Sequence, residues 1–307
     1  MKRRIEWIDC LKAIAIIFVV IGHFPISYLF KKYIYSFHLP MFFILSGLTF
    51  SVYKFNDFKS FVLHKFKGIL LPYIFLNISY FVFFSLFFKV LENNDIGLLE
   101  IINGIIYGNN DQYFLLNGPT WFLPTLFLIE LLGYVVIKYF NDDEKQLMLV
   151  AFGLLIYGYI ENVAKKNFFM PWHVNSVPVA CALFLMGYLF MKKYKSSEIL
   201  RERMKSPNLG YGIIFLLIGL YFSMKNGRVS FGGNHYHSMI YTLSAIIFNC
   251  STYYIFMKKI ISIKFFSRLL CYIGKNTLFI LGFHKAVLIL INYSFTVASV
   301  VTASFLA

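Results

Sequence analysis

Stretches of roughly 17–25 apolar residues recur from one end of this 307-residue chain to the other, each long enough to cross a bilayer. Hydrocarbon offers no partner to a peptide N–H or C=O, so each stretch must close its hydrogen bonds internally, as helix. The two-residue alternation of a membrane barrel strand is absent. Hydrophobic residues make up 59% of the chain and charged residues 14%, with a mean hydropathy of +0.68, a balance outside the range of soluble domains. Spans are read near 8–29, 38–53, 69–89, 119–138, 146–162, 177–191, 208–224, 238–257 and 269–291, with a short tenth at 293–307. The expected fold class is therefore all-α, a polytopic membrane bundle of about 9–10 transmembrane helices forming a single domain over 1–307. The first stretch is long and lacks an A-x-A-like cleavage site, so it reads as a retained helix rather than a signal peptide.

The net charge of +15 does not point to nucleic acid, because the basic residues cluster between the spans. Nineteen of the 29 Lys and Arg fall at the N-terminus and in alternate loops, and seven in the opposite loops. Positive loops stay in the cytoplasm, so the chain is expected in the cytoplasmic membrane with its N-terminus inside. Cys10, Cys181, Cys250 and Cys271 lie in or beside apolar spans without metal-ligand or disulfide spacing and read as small packing residues. No metal is expected; His235-x-His237 resembles a metal pair only weakly.

The first span, "IEWIDCLKAIAIIFVVIGHF" over 5–24, carries three ionisable groups. His23 lies eleven positions after Lys12, about 20° past three helical turns and about 16 Å along the axis. Asp9 lies three residues before Lys12, so all three share one face. Charge inside a bilayer is costly unless it meets a polar cavity or a partner, and three such groups on one face argue for a cavity. Next, in "YSFHLPMFFILSGLTF" (35–50), His38 stands at the outer mouth of the second span, Pro40 suits a first helical turn, and Ser46 and Gly47 permit close helix approach.

These segments resemble the integral-membrane acyltransferase family 3, in its polysaccharide O-acetyltransferase branch, the fucose 4-O-acetylase-like proteins. That family opens with an Asp, a basic residue, ten residues and a His, here Asp9, Lys12 and His23. An H-x-P-x-F-F-x-x-S-G segment follows, here His38 to Gly47. The segments "TWFLPTLFLIELLGY" (120–134), "ALFLMGYLF" (182–190) and "IGKNTLFILGFH" (273–284) come later in the family's order. Lys12 stands where many members have Arg, and "HKFKGILLPY", with Lys65 and Lys67, replaces an Arg-x-x-Arg. Lys still supplies a point charge for phosphate, though not a bidentate fork.

The resemblance implies O-acetyltransferase activity: an acetyl or other short acyl group moves from cytoplasmic acetyl-CoA, a co-substrate, to a hydroxyl of a cell-surface glycan or its lipid-linked saccharide precursor in a bacterial envelope. Such chemistry needs cations for the CoA phosphates, here Lys65 and Lys67 with Lys12 deeper. It also needs a base for the hydroxyl proton or an imidazole that carries the acyl group, and His23 fits either role. Asp9 would orient or neutralise Lys12. His38 and His284, at outer span ends, could join His23 around one chamber. Glu130, mid-span, is a further catalytic candidate. Trp121 is an interface anchor or a platform for a sugar face. The loop over about 90–118, rich in Asn, Asp, Gln and aromatics, could line a sugar site. Asn77 and Asn249 read as interhelical hydrogen-bonding residues, and His64 as a surface residue. The rival class is a transporter or flippase of a lipid-linked glycan, although no internal repeat is visible. Oligomeric state is left open.

Overall fold

A computed structural model describes residues 5–88, 98–108, 117–164 and 170–305, with side chains described through 83 and, after the gaps, through 291. The parts of the 90–118 loop at 90–97 and 109–116 therefore lie outside the described residues, as do the side chains of the tenth span. Helices run α1 Glu6–Gly22, α2 Tyr28–Tyr35, α3 His38–Thr49, α4 Phe58–Lys65, α5 Leu71–Phe88, α6 Leu98–Tyr107, α7 Phe122–Tyr139 and α8 Glu144–Val163. They continue with α9 Val177–Ser196, α10 Glu198–Lys205, α11 Leu209–Lys225, α12 Met239–Ile260, α13 Lys264–Lys275 and α14 Thr277–Phe305. Among the described residues there is no strand, only an isolated bridge between Ser230 and His235. The all-α bundle expected from the apolar runs is what forms.

Among the described residues, five helical stretches are each long and apolar enough to cross a membrane, seven if two sharply bent pairs count as one span each. The nine or ten spans read from sequence differ from this in identifiable places. The first run, expected over 8–29, ends as helix at Gly22. Pro25 follows, with no N–H to donate and a ring that disfavours helix in the residue before it. His23 thus caps the helix instead of lying within it. The second run stops at Thr49 after 12 residues, about 18 Å of helix. The run at 269–291 breaks at Asn276, where α13 and α14 meet at 81°. The separate tenth span does not exist, because α14 continues through it to Phe305.

The centre of the bundle is α9. Val179 through Leu185 are all buried, and a helix apolar all round belongs inside. Two glycines let α3 lie directly on it. A Cβ on Gly47 would fall 1.9 Å from the Phe184 carbonyl oxygen, and one on Gly187 2.2 Å from that of Ile44. Small residues at such crossings allow backbones to touch. The same device joins α1 to α13, where a Cβ on Gly274 would sit 1.8 Å from the Asp9 carbonyl. Peripheral α8 exposes Met148, Leu149, Phe152 and Ile160, a surface suited to lipid rather than water. These features make the chain a multi-pass membrane protein.

Polar bonds then fix the segments around the centre. Asp57 caps α4 by accepting from the Ser60 amide at 2.6 Å, and the Ser60 hydroxyl returns to Asp57. That amide holds the Asp57 carboxyl below its ordinary range. Between α4 and α5 the chain makes one π turn, Phe66–Leu70, of a kind that often marks functional sites. Asn77 donates to Thr120 at 3.0 Å and Asn117 to the Gly282 carbonyl at 2.8 Å, pinning the turn before α7 against α5 and α14. Asn249 donates to Ser223 at 3.2 Å between α12 and α11. Both asparagines read as hydrogen-bonding residues do bridge elements.

Candidate active site

Lys12, Ile16 and Val19 of α1 and its cap residue His23 repeat at spacings of four, three and four, so they form one stripe along the helix. The stripe is charged at one end, aromatic and basic at the other, and aliphatic between. Two cavities open along it. A lower cavity of about 310 Å³ is lined by Lys12, Ile16, Ser46, Lys65 and Glu130 among others. An upper cavity of about 220 Å³ is lined by His23, Tyr35, His38, Trp121, Ser230 and Lys285 among others. Helix α3 carries its own stripe, Leu39, Phe42, Ser46 and Thr49, down the lower cavity. On α14, Thr277, Leu278 and Leu281 do the same.

The lower cavity contains a fixed ion pair. Lys65 Nζ lies 2.6 Å from Glu130 Oε2, and Ser46 donates to Glu130 Oε1 at 2.7 Å. Glu130 is buried and Lys65 partly open, their side chains 8% and 20% exposed. The ammonium also lies 5.5 Å from the Phe50 ring centre and 5.8 Å from that of Phe61, within cation–π range. A buried carboxylate with a cation and a hydroxyl donor is well satisfied, and here it sets where the lysine points. Glu130, placed among the catalytic candidates by sequence, thus stands in the lower cavity with the cations rather than beside the histidines. Lys67, two residues on in the π turn, is exposed and lines neither cavity. His64, read as a surface residue, is exposed but does line the lower cavity. Asp9 is buried one turn before Lys12 and lines neither cavity.

His23 and His38 line the upper cavity, and His284 stands against His23 without lining it. Each ring is tied through Nδ1 to a backbone carbonyl three or four residues earlier: His23 to Val19 O at 2.7 Å, His38 of α3 to Ile34 O of α2 at 2.7 Å, and His284 to Ile280 O and Leu281 O at 3.0 Å. A carbonyl only accepts, so each neutral ring carries its proton on Nδ1 and leaves the Nε2 lone pair available. His284 Nε2 lies 3.4 Å from His23 Nδ1, and the two rings meet edge to face at 4.9 Å. His38 is buried and enters the cavity from the start of α3.

Loops roof this chamber. Trp172 and His173 both have positive φ, 55° and 50°, a conformation that large side chains seldom adopt. The turn brings His173 onto the Trp121 ring at 4.5 Å, and the Ser176 hydroxyl donates to the Phe231 carbonyl. Phe231 and Gly232 line the cavity beside Trp121. Sequence reading took Ser46 for a small packing residue and did not place Tyr35, Ser230, His173 or Lys285 at the site. The register of the stripes carried a signal for Ser46, seven residues after Leu39 on the same face of α3. No local pattern marks Ser230 or His173, which arrive through loops.

The arrangement provides cations at one end, proton acceptors at the other, and a helical path between them. No curated protein and no solved structure matches the chain. A family model described as Acyltransferase domain matches residues 5–307, nearly the whole sequence, and the chain belongs to that acyltransferase family.

Proposed function

We propose that the protein is an O-acyltransferase that accepts acyl-CoA in the lower cavity and a glycan hydroxyl in the upper one. The observation that carries this reading is the α1 stripe, which runs from Lys12 in one cavity to His23 in the other. Lys12 and Lys65 are the cations for the CoA phosphates, with exposed Lys67 at the approach. The distance of about 16 Å from Lys12 to His23 is of the order of an extended pantetheine arm. In the reaction the acceptor hydroxyl oxygen bonds to the acyl carbon while the carbon–sulfur bond breaks. His23 Nε2 takes the hydroxyl proton, and CoA leaves as its thiol after protonation. His38 is the further imidazole of the chamber, His284 supports His23 from behind, and Asp9 balances the charge of Lys12 from within α1. Glu130 holds Lys65 in place for the donor. Trp121 offers an aromatic face to a sugar ring.

The acyl group favoured is acetyl, and the acceptor a cell-surface polysaccharide or its lipid-linked precursor, as in the fucose 4-O-acetylase-like branch. No metal takes part in this scheme. The loop charges favour a cytoplasmic N-terminus in a bacterial cytoplasmic membrane, with the lower cavity facing inside. Membership of the acyltransferase family favours this enzyme over a flippase for lipid-linked glycans. Purified protein with labelled acetyl-CoA and a glycan acceptor tests it. Transfer of label, lost in His23→Ala, is the expected result; no transfer and no donor hydrolysis with a folded protein would reject it.

A further inference from the structure

Three side chains line both cavities: Val19 of α1, Leu39 of α3 and Leu281 of α14. Val19 and Leu281 are buried and Leu39 is partly so. Each comes from a different helix, and on each helix the residues beside it serve one chamber only. Below Val19 lie Ile16 and Lys12, and above it His23. Below Leu281 lie Leu278 and Thr277, and above it Lys285. The two chambers are thus adjacent rooms with a common wall, and that wall is aliphatic from all three sides.

We infer that Val19, Leu39 and Leu281 form a partition that seals the protein against ion flow between the chambers and selects the acyl group by size and charge. The selection half rests on the acyltransferase reading above; the sealing half does not. A thioester that approaches from the lower cavity reaches the imidazoles only through this wall. A methyl or ethyl group passes among aliphatic side chains without losing hydration. A carboxylate such as the end of a succinyl group loses its water there and gains no hydrogen-bond donor from these three residues. A longer alkyl chain demands more room between Val19, Leu39 and Leu281 than a methyl or ethyl group does. The bonds made and broken are those of the transfer already described: acyl carbon from CoA sulfur to hydroxyl oxygen, hydroxyl proton to imidazole, CoA released as thiol.

The experiment uses full-length protein in proteoliposomes with a trapped pH dye. It compares the wild type with Val19→Ala/Leu281→Ala and with the lipid-facing control Ile213→Ala/Leu217→Ala, after each is shown to be folded. Proton flux under an imposed pH gradient is expected to rise at least tenfold in the first variant alone. In detergent, transfer from butyryl-CoA relative to acetyl-CoA is expected to rise at least tenfold in that variant. Succinyl-CoA is expected to remain a poor donor for the wild type. Unchanged flux overturns the seal, and unchanged donor preference in an active variant overturns the selection. A wild-type protein that transfers no acyl group from CoA defeats the acyltransferase reading and with it the selection half, while the flux measurement still decides the seal. Leu39→Phe gives an independent check. It should lower transfer at least tenfold with unaltered acetyl-CoA binding, and undiminished transfer contradicts the partition.

Discussion

Nε2 of His284 stands 3.4 Å from Nδ1 of His23, although 261 residues separate them in the chain. Nδ1 of His23 also faces the Val19 carbonyl at 2.7 Å, so its proton is shared between a carbonyl and a second imidazole. The ring is held in one tautomer and one orientation, with Nε2 directed away from both partners. That contact is the geometry expected of a residue that positions His23.

Removing that support should slow the reaction without weakening substrate binding. His284→Ala is expected to lower kcat about 10- to 100-fold, on the order of 1.4–2.7 kcal/mol of barrier, with KM for donor and acceptor nearly constant. His284→Gln, which restores a polar atom near Nε2, should recover part of the loss. A rise in KM with unchanged kcat would assign His284 to binding instead.

His23 itself should be indispensable. His23→Ala is expected to cut glycan acylation by about 10²–10⁴, the range for loss of a general base or nucleophile. Expression, membrane insertion and thermal stability should hold, since the ring is exposed at the end of α1. Near-normal acylation would remove His23 from the mechanism.

Lys12 and Lys65 should divide by role. Lys12→Ala is expected to raise the donor KM well above tenfold with little change for the acceptor, and Lys12→Arg to retain activity. Glu130→Gln leaves Lys65 without its carboxylate in a partly buried site. It should cost about 1–3 kcal/mol of stability, below the full figure for a buried pair because the lysine reaches the cavity. A double-mutant cycle of Glu130→Gln and Lys65→Met, followed by thermal unfolding in detergent, reads their coupling directly.

Two glycine substitutions separate a packed crossing from an open helix face. Gly47→Ala drives a methyl into the Phe184 carbonyl, so α3 must move off α9, at an expected cost of about 1–3 kcal/mol or more. Gly153→Ala in α8 meets nothing within 4 Å and should be neutral or stabilise by up to about 1 kcal/mol. Equal thermal shifts for both would mean that the α3–α9 contact is not close.

Orientation is open to chemical labelling. In a background without the four native cysteines, Lys67→Cys and Arg228→Cys should react with an impermeant thiol reagent from opposite faces, Lys67→Cys from inside. Labelling of both from one face would reverse the inference drawn from the loop charges.

Much of this was already determined by sequence. The apolar runs dictate helices, because a lipid solvent leaves no other way to pair the backbone. The spacing of Lys12 and His23 dictates that they share a face, because helical geometry is local. Span ends were less legible. The first run looks unbroken in hydropathy, yet Pro25 ends it by a steric and hydrogen-bonding effect that hydropathy does not measure. Tertiary structure alone decided which groups meet. Glu130 reads as an isolated carboxylate in α7, and only the packing of α4 against α7 supplies Lys65, 65 residues earlier. His284 reaches His23, and Val19, Leu39 and Leu281 share one wall, because α1 packs against both α3 and α14. Contacts of that range depend on the shape of whole helices against one another, and no local window of sequence contains them.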